Sequence, residues 1–282
     1  RIRFIFGTDE ETLWRCMNRY NQLEEKADLG FAPDSAFPLT YAEKGLLQVK
    51  LHGPGWEDHP LQAGRALNVV PDKATYKGDR LEELLPVIEQ SGVKYTEEAG
   101  AVTVLGLSKH SKDAAEGVNA IVGLAESLSL IQPHPALLFI ADAVGEDATG
   151  AALFGKIKDE PSGALSFNIA TLSIDEQQSE IGIDIRIPVL ADKDALVERL
   201  TEVAASYQLQ YEEFDYVAPL YVPLDSPLVS TLMAVYQEET GDQTPAMSSG
   251  GATFARTMEN CVAYGALFPD ALQTEHQANE RA

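Results

Sequence analysis

The sequence is poor in cysteine, in basic residues and in long apolar runs, and each shortage argues against a class of protein. Cys16 and Cys261 lie far apart and form no CxxC pair, which argues against a disulfide scaffold or a thiolate zinc site. Two isolated cysteines also favour a reducing compartment. No apolar run reaches the ~18 residues that a membrane-spanning helix needs. We therefore expect a cytoplasmic globular protein with no membrane partner.

Acidic residues dominate the charge: 44 Asp and Glu against 21 Lys and Arg give a net charge of −23 over 282 residues. Such a surface repels phosphate backbones and anionic lipids, so binding to nucleic acid or to a membrane surface is not expected. Acidity alone predicts no metal site, because most of these carboxylates belong to a solvated face. A chain of this length can form two modest domains.

Hydrophobic periodicity predicts strands and helices at both ends of the chain. Residues 1–6 have the pattern of a buried strand, and a helix is predicted to follow at about 11–25. Near the other end, Ser226 and Pro227 mark the start of a predicted helix that Gly241 ends. Both ends therefore predict α/β structure. A further strand is predicted through Leu46, Val49 and Leu51.

The middle of the chain contains a short internal sequence repeat, called the internal echo below, in which a predicted helix is followed by a predicted strand. The matching residues are Glu82, Leu84, Val87, Tyr95 and Glu97 in one copy, and Glu198, Leu200, Val203, Tyr211 and Glu213 in the other. Each copy follows a predicted strand of its own, at 67–70 and at 181–187. The echo favours a duplicated αβ unit over chance. We expect residues 1–45 and 223–282 to form one α/β domain into which residues 46–222 are inserted.

The first candidate for chemistry is Thr8-Asp9-Glu10-Glu11, directly after the predicted first strand. Ligands collect at this position in open α/β sheets. Of two adjacent glutamates, one could bind a metal while the other acts as a base. Thr8 and Glu11 also fit a helix capping box, so the tetrad alone leaves both interpretations open.

Three further polar residues occupy predicted loops. Asp34 follows a proline, and a lone loop aspartate is usually a turn former or a helix cap. His276 has a glutamate beside it, which suits a metal-binding histidine, although a histidine in a surface loop is ordinary. His110 lies between a predicted strand and a predicted helix, which is a more suggestive position. None of the three predicts a site by itself.

A glycine-rich turn, Ser249-Gly250-Gly251, leads into a short predicted helix around Phe254. Such a turn offers backbone N–H groups to an anion, and Arg256 can add a bidentate contact to a carboxylate. It is not a phosphate-binding loop, since no GKS or GKT sequence follows it. A plain flexible turn explains the same residues equally well.

Several longer segments occur in an order that narrows these alternatives. They are residues 7–12 (GTDEET), 30–38 (GFAPDSAFP), 41–45 (YAEKG), 64–72 (GRALNVVPD), 250–256 (GGATFAR) and 276–280 (HQANE). Together they resemble the co-catalytic zinc peptidases of the aminoacylase, carboxypeptidase G and carnosinase family. The resemblance covers essentially the whole chain and is closest to the bacterial dipeptidase V (Xaa-His dipeptidase) branch.

The resemblance implies two divalent metal ions, expected to be zinc, that share a water molecule. It implies that Glu10 is the general base and that Glu11, Asp34 and His276 are metal ligands. Carboxylate and imidazole suit zinc, and two close cations acidify a water between them. Glu10 would take the proton of that water and pass it to the leaving amine.

The inserted segment resembles the family's lid, an α+β domain implied here to consist of two related ferredoxin-like halves. His110 is implied to stabilise the oxyanion that forms at the scissile carbonyl. Asn68, Arg186 and Arg256 are implied to hold the C-terminal carboxylate of the substrate, and Gly251 to add a backbone contact. A carboxylate clamp at a fixed distance from the metals selects dipeptides. The doubled lid also implies a monomer.

The chain departs from the family pattern because it lacks the HxD stretch that supplies a histidine ligand and the bridging aspartate upstream of Glu10. We expect the N-terminal part of the family chain, and the final helix after His276, to be missing. The full-length protein is expected to be a metal-dependent dipeptidase, and this chain to bind metal poorly and to be inactive or weak. Two alternatives stay open: an N-acyl-amino-acid deacylase of the same family, and a non-catalytic binding protein that reuses the fold.

Overall fold

The computed structural model describes residues 1–10, 14–57 and 60–271. They have mixed α/β structure and form two compact units. The described residues of Arg1–Lys44 and of Ala218–Ala282 make the first unit, and those of Gly45–Val217 make the second. Within the described ranges, the helices are all too short or too polar to cross a membrane.

The helices, in chain order, are α1 (Arg15–Leu23), α2 (Leu81–Ser91), α3 (Ala120–Ser129), α4 (Pro135–Leu138), α5 (Ala151–Phe154), α6 (Lys193–Ser206) and α7 (Pro227–Thr240). Shorter helical turns are two of 3-10 type, Ser111–Glu116 and Phe254–Thr257, and one of π type, Phe139–Val144. The strands are β1 (Gly30–Ala32), β2 (Ser35–Ala36), β3 (Thr40–Glu43), β4 (Gly45–Pro54), β5 (Leu61–Ala63), β6 (Lys73–Tyr76), β7 (Tyr95–Glu98), β8 (Ala101–Leu105), β9 (Lys158–Asp159), β10 (Gly163–Ala164), β11 (Ser166–Ile174), β12 (Gln178–Ile187), β13 (Gln210–Val217), β14 (Leu220–Tyr221), β15 (Met247–Ser249), β16 (Cys261–Ala263) and β17 (Ala266–Leu267).

The main sheet of the first unit is built around β3. Strands β14 and β16 pair with β3 in antiparallel fashion, β15 pairs with it in parallel, and β1 lies parallel to β16. All four residues of β3 are buried, including the charged Glu43. A buried carboxylate needs charged or hydrogen-bonding partners, so Glu43 marks a polar centre inside this unit.

Helix α7 begins and ends where its sequence predicts. The Ser226 hydroxyl accepts the Val229 N–H at 3.2 Å, and Pro227 occupies the first turn. Gly241 ends the helix with φ of 74°, in the left-handed region that glycine adopts without strain. These caps depend only on neighbouring residues, which is why the prediction is confirmed.

Residues 1–6 do not form the predicted buried strand. Ile2, Phe4 and Phe6 are 84%, 83% and 89% exposed, and the segment pairs with no strand of the described chain. Alternating apolar residues specify a face, but a strand also needs a second backbone to satisfy its N–H and C=O groups. The prediction of a buried strand was therefore wrong for this segment.

The second unit contains a five-stranded antiparallel sheet in the order β13-β4-β12-β11-β5 and a three-stranded sheet in the order β6-β8-β7. Strand β4 alternates buried and half-buried residues, as its sequence predicts, while β12 is buried along almost its whole length. Helix α3 is buried on nearly every side and packs against β6, β8 and β11. The core of this unit therefore lies around α3 and the face of the larger sheet.

Both copies of the internal echo form a helix followed by a strand, as predicted: α2 with β7, and α6 with β13. Before α6 comes β12, at the predicted position. Before α2 the strand is β6, whereas the predicted strand at 67–70 is a turn with one bridge between Val69 and His110. The proline at position 71 removes a backbone donor there, which disfavours a longer strand.

Buried His134 begins helix α4. Its Nδ1 accepts the Ala136 N–H at 3.2 Å, and its Nε2 lies 3.2 Å from the carbonyl oxygen of Pro54. The ring stacks on Trp56 with centroids 5.2 Å apart. Because Nδ1 is an acceptor, the ring is neutral and carries its proton on Nε2, and burial lowers the pKa of His134.

The free energy of unfolding should therefore decrease as the pH is lowered through the range where histidine titrates. The unfolded state takes up a proton near the ordinary histidine pKa of about 6.5, whereas folded His134 resists protonation, so acid favours unfolding. We expect the free energy of unfolding, measured with denaturant, to decrease between about pH 7.5 and about pH 5. His134→Asn keeps an oxygen for the Ala136 N–H and cannot titrate, so this variant should show a weaker dependence. Equal pH dependence in both proteins would contradict the assignment.

Candidate active site

The segment that carries Glu10 packs against the turn after the glycine-rich loop. A Cβ atom on Gly7 would lie 2.3 Å from Cε2 of Phe254, so only glycine allows this approach. The Trp14 ring meets the Phe254 ring edge to face at 5.9 Å. Residues that are far apart in sequence are thus adjacent within the first unit, and Glu10 lies in the segment between Gly7 and Trp14.

Asp9 caps helix α1. Its carboxylate accepts the backbone N–H groups of Arg15 at 2.9 Å and Cys16 at 3.2 Å, and these bonds stabilise the start of the helix at Arg15. Hydrogen bonds from the Cys16 side chain, and then from the two backbone groups, lower the pKa of Asp9 to about 2. Half-buried Glu10 receives a hydrogen bond on its carbonyl oxygen from Nε1 of Trp14.

The expected metal ligands are only partly described. Asp34 is exposed in the loop between β1 and β2, at the carboxyl end of a parallel strand. Glu11 and His276 lie outside the described residues, so their meeting with Asp34 stays a prediction. Among residues 1–10, 14–57 and 60–271, no group of three or more His, Cys, Asp or Glu side chains could hold a metal ion. The described donors alone therefore do not complete a metal centre.

Glu43 is the buried acceptor in the first unit. One oxygen accepts the Thr253 hydroxyl at 2.7 Å, and the other accepts the Thr253 N–H at 3.1 Å and Nε of Arg256 at 3.0 Å. The side chains of Glu43 and Arg256 are each 1% exposed. A pair this deep is held by its hydrogen bonds, since the desolvation of both charges must be offset.

Three further donors of Arg256 also bond inside the first unit. One Nη1 hydrogen goes to the Ala218 carbonyl at 3.1 Å, and Nη2 donates to the carbonyls of Lys44 at 3.0 Å and Gly251 at 2.7 Å. The backbone N–H of Gly251 itself donates to Oγ of Ser249 at 2.9 Å.

This geometry gives Arg256 and Gly251 structural contacts that their expected roles do not include. A guanidinium with its side chain 1% exposed, donating to a carboxylate and three carbonyls, holds the glycine-rich loop in place, and its expected contact with a substrate carboxylate stays a prediction. Gly251 likewise uses its N–H and its carbonyl within the loop. The sequence pattern could not show these contacts, because Glu43, whose carboxylate accepts the hydrogen bond from Arg256, lies 213 positions earlier.

In the second unit, Asn68 and His110 are brought together. The Asn68 carbonyl accepts the N–H of Ser111 at 2.9 Å, directly after His110. Asn168, on β11, donates to the Ser111 hydroxyl at 2.9 Å, and Asn119 donates to Asn168 at 3.1 Å. This network of buried and half-buried polar groups fixes the two loops that carry Asn68 and His110 against the sheet.

Arg186 acts on His110 through its charge. His110 is exposed by surface area, yet the surrounding atoms desolvate its ring, and this effect together with the positive charges of Arg186 and Lys112 lowers its pKa. Asp184 opposes the shift. Nδ1 of His110 accepts the Lys112 N–H at 3.1 Å, so the neutral ring carries its proton on Nε2. His110 is therefore a hydrogen-bond donor at neutral pH.

The chain is similar to bacterial proteins that carry dipeptidase names. It is 35% identical to "Putative dipeptidase YtjP" of Bacillus subtilis (strain 168) over 304 aligned positions, covering 99% of this chain and 65% of the relative. It is 30% identical to "Putative dipeptidase SH1171" of Staphylococcus haemolyticus (strain JCSC1435), with 99% and 65% covered. The chain thus spans 65% of the length of these relatives. No protein-family model matches it.

Among solved structures, the aminoacylhistidine dipeptidase from Vibrio alginolyticus superposes with a TM-score of 0.46 at 12% identity. The superposition covers 86% of this chain and 60% of that one. A TM-score and an identity this low do not establish a shared fold.

Sequence reasoning gave no role to two buried carboxylates, Glu43 and Asp184. The signal for Asp184 is present in Ile183-Asp184-Ile185-Arg186-Ile187, where charges of opposite sign alternate with isoleucine inside a strand. Residues two apart on a strand share a face, so this pattern predicts a buried ion pair. Glu43 is the last residue of the short buried strand β3. Its partner, Arg256, lies too far along the chain to be identified from the sequence around Glu43.

Proposed function

We propose that the protein carrying this chain is a metal-dependent dipeptidase of the co-catalytic zinc peptidase family, in its dipeptidase V branch. The observation that carries the proposal is the similarity to proteins named as dipeptidases across 99% of this chain. Because the match covers 65% of the relatives, we assign the activity to a protein of their full length. This chain by itself is expected to be inactive or weak.

In the proposed mechanism Glu10 is the general base. It accepts a proton from the water that attacks the scissile carbonyl and passes this proton to the leaving amine. Its position supports the role, because the segment that carries Glu10 is held between the Gly7–Phe254 contact and the Asp9 cap of α1. A base held in this way loses little entropy when it reaches the reacting water.

His110 is proposed to donate its Nε2 proton to the oxyanion. The lowered pKa favours the neutral ring, and the Lys112 N–H fixes the tautomer that has the proton on Nε2. A neutral imidazole donor can stabilise an oxyanion without giving up its proton. Arg186 and Asn68 are proposed to bind the C-terminal carboxylate of the dipeptide. The buried position of Arg186 favours a strong charge-assisted bond to that group.

Two zinc ions, bound by Glu11, Asp34 and His276, belong to the same proposal. Bound zinc would acidify the attacking water. We also propose that residues 46–222 form a lid of two ferredoxin-like halves and that the protein is a monomer. The shared helix–strand order of α2 with β7 and α6 with β13 supports the doubled lid.

A substrate panel tests the function. Unblocked dipeptides and their N-acetylated forms would be offered to the full-length protein, with and without a metal chelator, and to this chain alone. We expect cleavage of the unblocked forms at least about 10²-fold faster in kcat/KM, loss of activity with chelator, and little turnover by this chain. Preferential cleavage of acylated substrates would support the deacylase alternative, and cleavage of neither would leave the non-catalytic binding protein.

A further inference from the structure

We propose that Asp184 is a positioning residue that holds Arg186 in the orientation in which it binds a ligand carboxylate, and that Gln48 fixes Asp184 in turn. The inference rests on the proposed function, which assigns Arg186 to the carboxylate of a dipeptide. It adds two residues to the proposed substrate site, neither of which contacts the substrate.

The pair is built on one strand. Asp184 and Arg186 are two positions apart on β12, so their side chains share a face, and they are 0% and 5% exposed. Nε of Arg186 donates to one carboxylate oxygen at 2.7 Å, and Nη2 donates to the other at 3.1 Å. This bidentate contact fixes the guanidinium plane, and with it the direction of the other N–H bonds.

Gln48 completes the support from the neighbouring strand. It is the register partner of Asp184 on β4, and its Nε2 donates to Oδ2 of Asp184 at 3.0 Å. Both oxygens of Asp184 are therefore bonded, and the carboxylate cannot rotate without breaking these bonds. The support lies inside a continuous antiparallel sheet, where the backbone is held on both sides of β12.

A buried ion pair contributes little stability compared with apolar residues of similar size, because desolvating the two charges offsets their attraction. The rest of β12 is apolar at the neighbouring buried positions Ile183, Ile185 and Ile187. The presence of two charged residues in such a strand is better explained by a function of the guanidinium than by a contribution of the ion pair to stability. The carboxylate beside it keeps the arginine in place and partly compensates its charge.

The surroundings of Arg186 connect it to the proposed site. Ser166, its register partner on β11, donates its hydroxyl to the carbonyl of Ser111 at 2.5 Å. Ser111 directly follows His110, whose titration responds to the charges of both Arg186 and Asp184. The guanidinium held by Asp184 thus lies within electrostatic range of the proposed oxyanion donor.

The test compares a dipeptide with its C-terminal amide in the full-length protein and in its Asp184→Asn variant. The wild type should prefer the dipeptide, and the variant should lose about 10- to 100-fold of that preference in kcat/KM because Arg186 is no longer held. Asp215→Asn is the matched control: it makes the same chemical change at an exposed position of β13, in the same sheet. The control should keep the wild-type preference. An equal fall for both substrates in Asp184→Asn would mean a purely structural pair and would overturn the inference.

Gln48→Leu provides a second variant if Asp184→Asn does not fold. It removes one hydrogen bond from Asp184 and leaves the ion pair intact, so it should lower the same preference by about 3- to 10-fold. An unchanged preference in Gln48→Leu would contradict the role given to Gln48.

A binding measurement separates this inference from the proposed function. The imidazole NMR signals of His110 in this chain would be followed during titration with glycylglycine and with glycylglycinamide. We expect a response to the carboxylate form only, and a loss of that response in Asp184→Asn. If the full-length protein cleaves no dipeptide, the proposed function fails while this result still decides the inference. No response of the wild type to glycylglycine, or an unchanged response in the variant, would overturn it.

Discussion

Replacing Glu10 with glutamine in the full-length protein is expected to lower the kcat for dipeptide cleavage by about 10²- to 10⁴-fold, with a small change in KM. Glutamine keeps the size and polarity of the side chain but cannot accept the proton of the attacking water. The substrate carboxylate is proposed to bind at Arg186, which the substitution leaves unchanged, so ground-state binding should survive. Steady-state kinetics on one unblocked dipeptide measures both constants.

The control for this variant is Glu24→Gln, which makes the same chemical change at the exposed C-cap of α1. It should behave as the wild type. A comparable loss in both variants would indicate a general effect of charge on the segment. Unchanged turnover in Glu10→Gln would remove the support for Glu10 as general base and favour the binding protein that reuses the fold.

Local signals explain which elements were predictable. Helix α7 is determined by Ser226, Pro227 and Gly241, all within its own span. Strand β4 carries its alternation in eight consecutive residues, from Gly45 to His52. The helices and strands of the internal echo likewise follow from periodicity within single segments.

Elements that depend on distant partners were not predictable in the same way. Residues 1–6 have the composition of a core strand, but a strand forms only where a second backbone pairs with it. Helix α1 begins at Arg15 because the Asp9 carboxylate reaches over several residues to cap it. The compact units change at Lys44/Gly45 and at Val217/Ala218, against expected boundaries at 45/46 and 222/223.

The candidate site divides in the same manner. The sequence pattern singles out Asn68, His110 and Arg186, whose roles stay predictions. The second unit brings the first two together, and the charge of Arg186 acts on His110. The pattern could not show that Arg256, which matches a substrate-binding position, is bonded to Glu43. Whether an arginine faces a ligand or the core depends on contacts that span the whole unit, and a motif does not contain them.

Replacing Glu43 with alanine is expected to destabilise the first unit by about 3–5 kcal/mol, because it leaves the Arg256 guanidinium buried without its carboxylate. It also removes the acceptor of the Thr253 N–H and hydroxyl, so the glycine-rich loop loses its connection to β3. Denaturant unfolding can be followed through Trp14 in a Trp56→Phe background, since these are the two tryptophans of the chain and only Trp14 lies in the first unit.

The double variant Glu43→Ala/Arg256→Met decides between a structural and a substrate-binding Arg256. If the two side chains act as a pair, removing both should cost less than removing Glu43 alone, because the uncompensated charge disappears and methionine packs in its place. If Arg256 instead binds the substrate carboxylate, Glu43→Ala should unfold near the wild-type midpoint, and Arg256→Met should raise KM for dipeptides while leaving stability unchanged. The burial of both side chains and the four acceptors around the guanidinium lead us to expect the first result. Under that result the carboxylate of a substrate is left to Arg186, where Asp184 already holds the guanidinium in place.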